Sequence, residues 1–323
     1  MAPVSSQLTD ARPPRASAIG AALVTVILWA SAFVGIRSAG RALSPGALAL
    51  ARLLVGSAVL GTFVVLRREP LPGRRPLRGI AICGVLWFGL YNVVLNEAER
   101  HVDAGIAATL VNIGPILIAI LAGLILREGF PPRLLAGCLV SFAGAAVIGV
   151  ATSEHGLREA WGAALCLIAA LAYAGGVVAQ KPALDGASAL SVTWLACMIG
   201  AVSCLPYGAS LVDQLGHARG SAIAWTIYLG AAPTAIGFVT WAYALARTTA
   251  GRMGSTTYLV PPLAVLLGWA FLGEIPPALA LPGGLLCLAG VALTRTGKRR
   301  LAPGRAASRS ISELPVASRR AEA

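Results

Sequence analysis

Polar and apolar residues fall in long blocks along this chain: runs of about 20 mainly apolar residues, the length that crosses a hydrocarbon core, are separated by short polar turns. Ten runs are expected to be helices, near residues 18–37, 46–66, 79–98, 104–126, 132–151, 160–180, 187–207, 221–246, 250–272 and 277–294. Lipid admits only spanning structures that satisfy their own backbone, and a barrel strand needs about half this length. The expected fold is therefore an all-α membrane protein of ten transmembrane helices. The run after Ser17 is too long for a cleaved signal core and reads as the first span.

The chain repeats internally. Residues 104–130 align without a gap on residues 250–276 at an offset of 146, pairing Ala104 with Ala250, Gly105 with Gly251, Pro115 with Pro261 and Glu128 with Glu274. At an offset of 144 the first run matches the sixth, pairing Trp29 with Tyr173, Val34 with Val178 and Arg37 with Lys181. Two blocks recurring in the same order imply a duplicated unit: a tail over 1–17, repeats over 18–151 and 160–294, and a basic tail over 295–323. Each unit holds five spans, an odd number, so the second starts on the opposite side of the membrane. Two inverted five-helix repeats around a central cavity are an architecture of secondary transporters.

Composition supports lipid as the solvent, with 57% hydrophobic residues, 12% charged and a mean hydropathy of +0.78. The net charge of +13 does not point to nucleic acid, because the basic residues sit between apolar runs instead of on one soluble face. Of the 26 Lys and Arg residues, Arg37, Arg41, Arg100, Arg158 and Arg219 fall on one side and Arg52 within a span. All others fall on the other side. The excess side is cytoplasmic by the positive-inside rule, so both termini are expected in the cytoplasm of a cell whose plasma membrane holds the protein.

No cofactor, metal or catalytic centre is expected. The six cysteines lie inside apolar runs without a CxxC pair, and His101, His155 and His217 lie in loops. HExxH, GxSxG and GxxxxGK[ST] motifs are absent.

The stretch Trp29-Ala-Ser-Ala-Phe33 to Arg37, the pattern Pro45…Leu48-Ala-Leu-Ala-Arg52, and the block Ala104-Gly105…Pro115…Glu128 with its copy Ala250-Gly251…Pro261…Gly273-Glu274 resemble the EamA-type permeases of the drug/metabolite transporter superfamily. The resemblance covers residues 18–294. It implies a basket of ten helices around a central cavity and export of amino acids or related metabolites. One departure is Arg52: offsets of 141 and 144 put Thr193 and Ala196 in its place, so any role it has belongs to one half.

Candidate substrate-binding residues are Arg52, Asn92, Asn96, Asn112, Trp29, Tyr173, Trp241 and Tyr258. Arg52 reads either as a cavity cation for a carboxylate or as an arginine whose long stem reaches the headgroups. Phe88, Asn92, Asn96 and Glu99 share one helical face, with weaker faces at Thr109 and Asn112 and at Thr234, Gly237 and Trp241. Pro115, Pro233, Pro261 and Pro262 interrupt apolar runs and are expected to bend helices for gating. Glu128 and Glu274 end their helices and are expected to tie loops. No carboxylate lies deep in a span, which leaves Glu97 and Glu99 as candidate protonation sites. The expected partners are a small neutral or zwitterionic metabolite and the bilayer. A homodimer and a passive channel both stay open.

Overall fold

The computed structural model describes residues 15–98, 100–101, 110–151, 160–272 and 278–295. Residues 1–14 and 296–323 of the tails, Glu99, Thr109, His155, Glu274 and the Ala104–Gly105 pair lie outside these residues. All regular structure among the described residues is helical: α1 (Arg15–Ala39), α2 (Pro45–Leu66), α3 (Arg74–Ala98), α4 (Gly114–Ile125), α5 (Pro132–Ala151), α6 (Ala160–Ala183), α7 (Ala189–Ser203), α8 (Gly208–His217), α9 (Gly220–Ala246), α10 (Ala250–Phe271) and α11 (Ala280–Arg295). Six of these, α1, α2, α3, α6, α9 and α10, are long and apolar enough to cross a membrane. The bent pair α7–α8 makes a seventh if counted as one span, and α4, α5 and α11 are shorter apolar helices. Large apolar side chains such as Val65, Leu124, Leu171, Phe271 and Leu285 are exposed on the outer faces, as a lipid solvent allows.

The continuous helices expected from hydropathy are interrupted in five places. The seventh run stops at Ser203, and a 3-10 turn over Leu205–Tyr207 redirects the chain by 53° into α8, a stretch expected to be loop. Pro206 in that turn has no N–H to continue the helix. A turn at Asn112 and Ile113 precedes α4, and a 3-10 turn over Thr257–Leu259 divides α10 at the corresponding place. Pro115 and Pro261 follow these breaks and open the helical segments beyond them, where a missing N–H costs nothing. Finally, α3 and α9 each contain a π-helical segment, Gly84–Leu90 and Gly230–Ile236.

The two π segments are related by 146 residues at both ends, and so are the helical stretches before them, Arg74–Cys83 and Gly220–Leu229. Pro233 occupies the second segment, but Trp87 stands at its counterpart, so proline does not set the geometry. The shared feature is a glycine pressed against another helix. A Cβ on Gly84 would lie 2.8 Å from the carbonyl oxygen of Ala196 and 2.8 Å from Cβ of Ile199. One on Gly230 would lie 2.8 Å from the carbonyl oxygen of Arg52 and 2.5 Å from Cβ of Val55. Arg52/Ala196 and Val55/Ile199 are pairs at an offset of 144. The structure therefore selects Ala196, not Thr193, as the counterpart of Arg52.

A second self-matching contact joins α5 to α11. A Cβ on Gly137 would lie 2.6 Å from the Gly290 oxygen, and one on Gly144 2.5 Å from the Gly283 oxygen. Between them Ser141 Oγ donates to the Cys287 oxygen at 3.1 Å, and Cys287 Sγ to the Ser141 oxygen at 3.4 Å. Ser141 and Cys287 are 146 apart, as are Gly137 and Gly283, and Gly144 and Gly290. The patch is thus isologous, and the two corresponding helices run antiparallel. Elsewhere α1 packs on α9 and α10, while its counterpart α6 packs on α3 and α4. Helix α1 runs antiparallel to α9, with Thr25 bonded to Thr240 at 2.8 Å and Ser31 to Tyr228 at 2.6 Å.

Substituting Gly144 by leucine is expected to lower stability by about 1–3 kcal/mol through overpacking. Leucine at Gly20, where an added Cβ would meet nothing within 4 Å, is expected to change little. Thermal unfolding of the purified protein in detergent checks both.

Candidate functional site

Six aromatic rings from α1, α3, α6 and α9 meet where the two sequence halves interleave. Trp29 stacks on Trp241 with centroids 5.1 Å apart, and Trp87 stands edge-on to both at 5.8 and 5.3 Å. Tyr173 packs on Trp87 at 5.1 Å, and Phe238 on Phe88 at 4.4 Å. Apart from Trp29, which is half-buried, these rings are buried. Trp29 Nε1 donates to the Pro233 oxygen at 3.3 Å, in the π segment of α9. The sequence nominated Trp29, Tyr173 and Trp241 here, and the structure adds Trp87, Phe88 and Phe238 as full members of the same layer.

Arg52 is 6% exposed and turned inward, its Nε donating to Thr234 Oγ1 at 3.1 Å. The reading in which Arg52 reaches the headgroups is overturned, since its side chain points across to α9. Of the expected polar stripe on α3, Phe88 falls within the π segment, while Asn92 and Asn96 follow it one α-helical turn apart. Asn92 Nδ2 donates back to the Trp87 and Phe88 oxygens at 3.3 and 2.8 Å, satisfying carbonyls of the widened turn. Asn96 Nδ2 donates to the Pro45 oxygen at 3.0 Å and lines a cavity. Asn112 is half-buried in the turn before α4, away from that cavity lining. Thr109 and Glu99 lie outside the described residues.

Several buried polar atoms in and near the aromatic layer have no hydrogen-bond partner among the described residues: Trp241 Nε1, Tyr258 Oη, and both amide atoms of Gln180, which is fully buried. Each such atom costs roughly 1–3 kcal/mol, a burden tolerated where a function needs polarity. Gln180 escaped notice in the sequence because it sits beside Lys181 at a helix end.

The described residues at the two ends of α9 have different surroundings. At the C-terminal end of α9, Lys181 Nζ donates to the Leu245 oxygen at 2.7 Å, and Glu128 Oε1 accepts from the Ala250 N–H at 2.8 Å, with Oε2 accepting from Gly251 N–H at 3.4 Å. A carboxylate on the first N–H groups of α10 and an ammonium on the last carbonyls of α9 both complement the helix dipoles. Glu128 thus ties a loop, as expected. At the other end of α9, Arg37, the counterpart of Lys181, lines a cavity of about 510 Å³ with Arg41, Ser44, Asn96, Arg100 and Gln214. Among the described residues no three His, Cys, Asp or Glu side chains gather as metal ligands.

Stacked apolar helices, a buried polar interior and an exposed apolar rim define a multi-pass membrane protein, and comparison with known proteins places it among transporters. The EamA-like transporter family matches twice, over residues 16–150 and 160–296, and the chain belongs to this family. It is 40% identical over 297 residues to the probable terminal-alkyne amino-acid exporter of Streptantibioticus cattleyicolor, covering 89% of this chain and 98% of that protein. It is 32% identical to the uncharacterized transporter YdfC of Bacillus subtilis, over 83% of this chain and 87% of that one. The uncharacterized inner membrane transporter YedA of Escherichia coli K12 is 27% identical, over 79% of this chain and 83% of its own. A solved crystal structure superposes with a TM-score of 0.72 over 89% of this chain and 100% of its own, at 21% identity, a likeness of fold alone.

Replacing Thr234 by valine removes the acceptor of a charged, buried hydrogen bond. The expected loss is about 1.5–3 kcal/mol, read as a lower unfolding midpoint; an unchanged midpoint would show that Arg52 does not depend on this contact.

Proposed function

We propose that the protein is a secondary transporter that exports amino acids or related small neutral or zwitterionic metabolites, crossing the cytoplasmic membrane ten times as two inverted five-helix halves. The relative named as a probable amino-acid exporter supports the substrate class, and the Lys and Arg distribution supports cytoplasmic termini. The antiparallel contact between α5 and α11, helices 146 residues apart, supports the inversion. The observation that supports the mechanism is the pairing at one end of α9, where Lys181 and Glu128 hold the termini of α9 and α10, together with a cavity lined by Arg37, the counterpart of Lys181, at the other. Exchanging the two conformations between the halves yields the opposite access state, which is alternating access.

In this reading the aromatic layer of Trp29, Tyr173 and Trp241, with Tyr258, Arg52, Asn92, Asn96 and Asn112, forms the wall that meets substrate near the midplane. The π segments and the breaks before Pro115 and within α10 are the places where helices bend, with Pro233, Pro261 and Pro262 at them. Hydration of Gln180 and Trp241 in the opposite state removes their desolvation cost and helps to balance the two states. A closed aromatic layer favours a carrier over an open channel.

Proteoliposomes loaded with a panel of amino acids test this. Saturable efflux with counterflow is expected from the wild type, and Arg52→Ala and Asn92→Ala variants of unchanged fold are expected to lose it by roughly tenfold or more, the loss of one strong polar contact. Flux linear in concentration would indicate a channel. Unchanged efflux in both variants would remove this site.

A further inference from the structure

The cavity at the Arg37 end has its own chemistry. Three guanidinium groups line it: Arg37 from the last turn of α1, Arg41 from the turn that follows, and Arg100 from beyond α3. The N-terminus of the 22-residue helix α2 opens on the same space, with Pro45 as its first residue. Ser44 there is extended and makes no side-chain cap, and its N–H is held instead by Gln214 Oε1 at 2.7 Å. The positive end of a helix and planar arginine forks both select anions, the forks matching carboxylate geometry. Asp213 precedes the cavity-lining Gln214, and Glu97 contacts Arg100 at 3.8 Å, between side chains 40% and 62% exposed. Such a solvated pair is weak and is readily exchanged for a ligand carboxylate.

The remaining walls are not charged. Ile36, Leu43 and Leu48 line the same cavity, whose volume of about 510 Å³ is ample for a small metabolite. Arg52 lies one helical turn beyond Leu48 on α2, and Asn92 one turn beyond Asn96 on α3, so polar groups continue from the cavity inward. We propose that this cavity is a carboxylate-binding vestibule that docks a small acid by its carboxylate, with the apolar part of the ligand against Ile36, Leu43 and Leu48. Its place on a transport route rests on the proposed function, whereas its ligand chemistry stands on the cavity.

A cysteine at Ser44 reports on the vestibule directly, since all six native cysteines are buried. The full-length Ser44→Cys variant is placed in phosphatidylcholine nanodiscs and labelled with methanethiosulfonate reagents carrying a sulfonate or a trimethylammonium group. The anionic reagent is expected to react roughly tenfold faster than the cationic one, a modest case of field focusing in a charged cleft. Pentanoate is expected to slow labelling where pentylamine and pentanol do not. Adding Arg41→Gln and Arg100→Gln is expected to bring the two rates together and abolish protection. Equal rates for both reagents, or a preference that survives the double substitution, would overturn the proposal. So would protection by phosphatidylglycerol in the disc without protection by pentanoate, which would assign the arginines to lipid headgroups. The labelling needs no transport, so a negative efflux assay beside a positive labelling result would fault the proposed function and leave the vestibule standing.

Discussion

Two apolar helices in hydrocarbon shed no water when they meet, so their association rests on how closely their backbones approach. In this protein that approach is made by glycines in matching places. Gly84 and Gly230 seat α3 and α9 against α7 and α2, and Gly137, Gly144, Gly283 and Gly290 close α5 on α11. Because the Gly84 contact recurs at Gly230, with the glycines 146 and their partners 144 residues apart, one geometric solution is used twice. The π segments that begin at Gly84 and Gly230 belong to this solution; Trp87 lies within the first and Trp241 follows the second, and the two rings meet in one aromatic layer.

Against this duplicated frame the polar groups are unequal. Arg52 has Ala196 as its counterpart, so a buried positive charge is present in one half and absent from the other. Lys181 is engaged with the end of α9, and its counterpart Arg37 lines the cavity at the other end. The first inequality is chemical and permanent, suited to choosing a ligand. The second is conformational in the proposed function, where alternating access exchanges it between the two ends.

Hydropathy and the repeated block make the helices and the duplication legible from the sequence, because about 20 consecutive apolar residues admit few other folds. Pro115 and Pro261 mark the helix breaks correctly in place, though they open segments and do not bend continuous ones. Less is legible where packing decides. The π segment at Gly84 carries no proline, so no residue type announces it, and the Asn92 amide that follows it donates back to two of its carbonyls. Gln180 and Trp87 look like ordinary span residues until the neighbouring helices are placed. Residues 208–217 are polar enough to read as loop, yet the 53° turn at Pro206 lets them form a helix beside the bundle.

The two halves are proposed to be inverted in the membrane, and the turns between α1 and α2 and between α6 and α7 test this. Arg41 and Asp185 occupy corresponding positions in these turns, 144 residues apart. Single cysteines at these positions, labelled with a membrane-impermeant maleimide in intact cells and again after permeabilisation, should be reached from opposite faces, Arg41→Cys from outside and Asp185→Cys only after permeabilisation. Labelling of both from the same face would contradict the inverted architecture and the transport mechanism built on it.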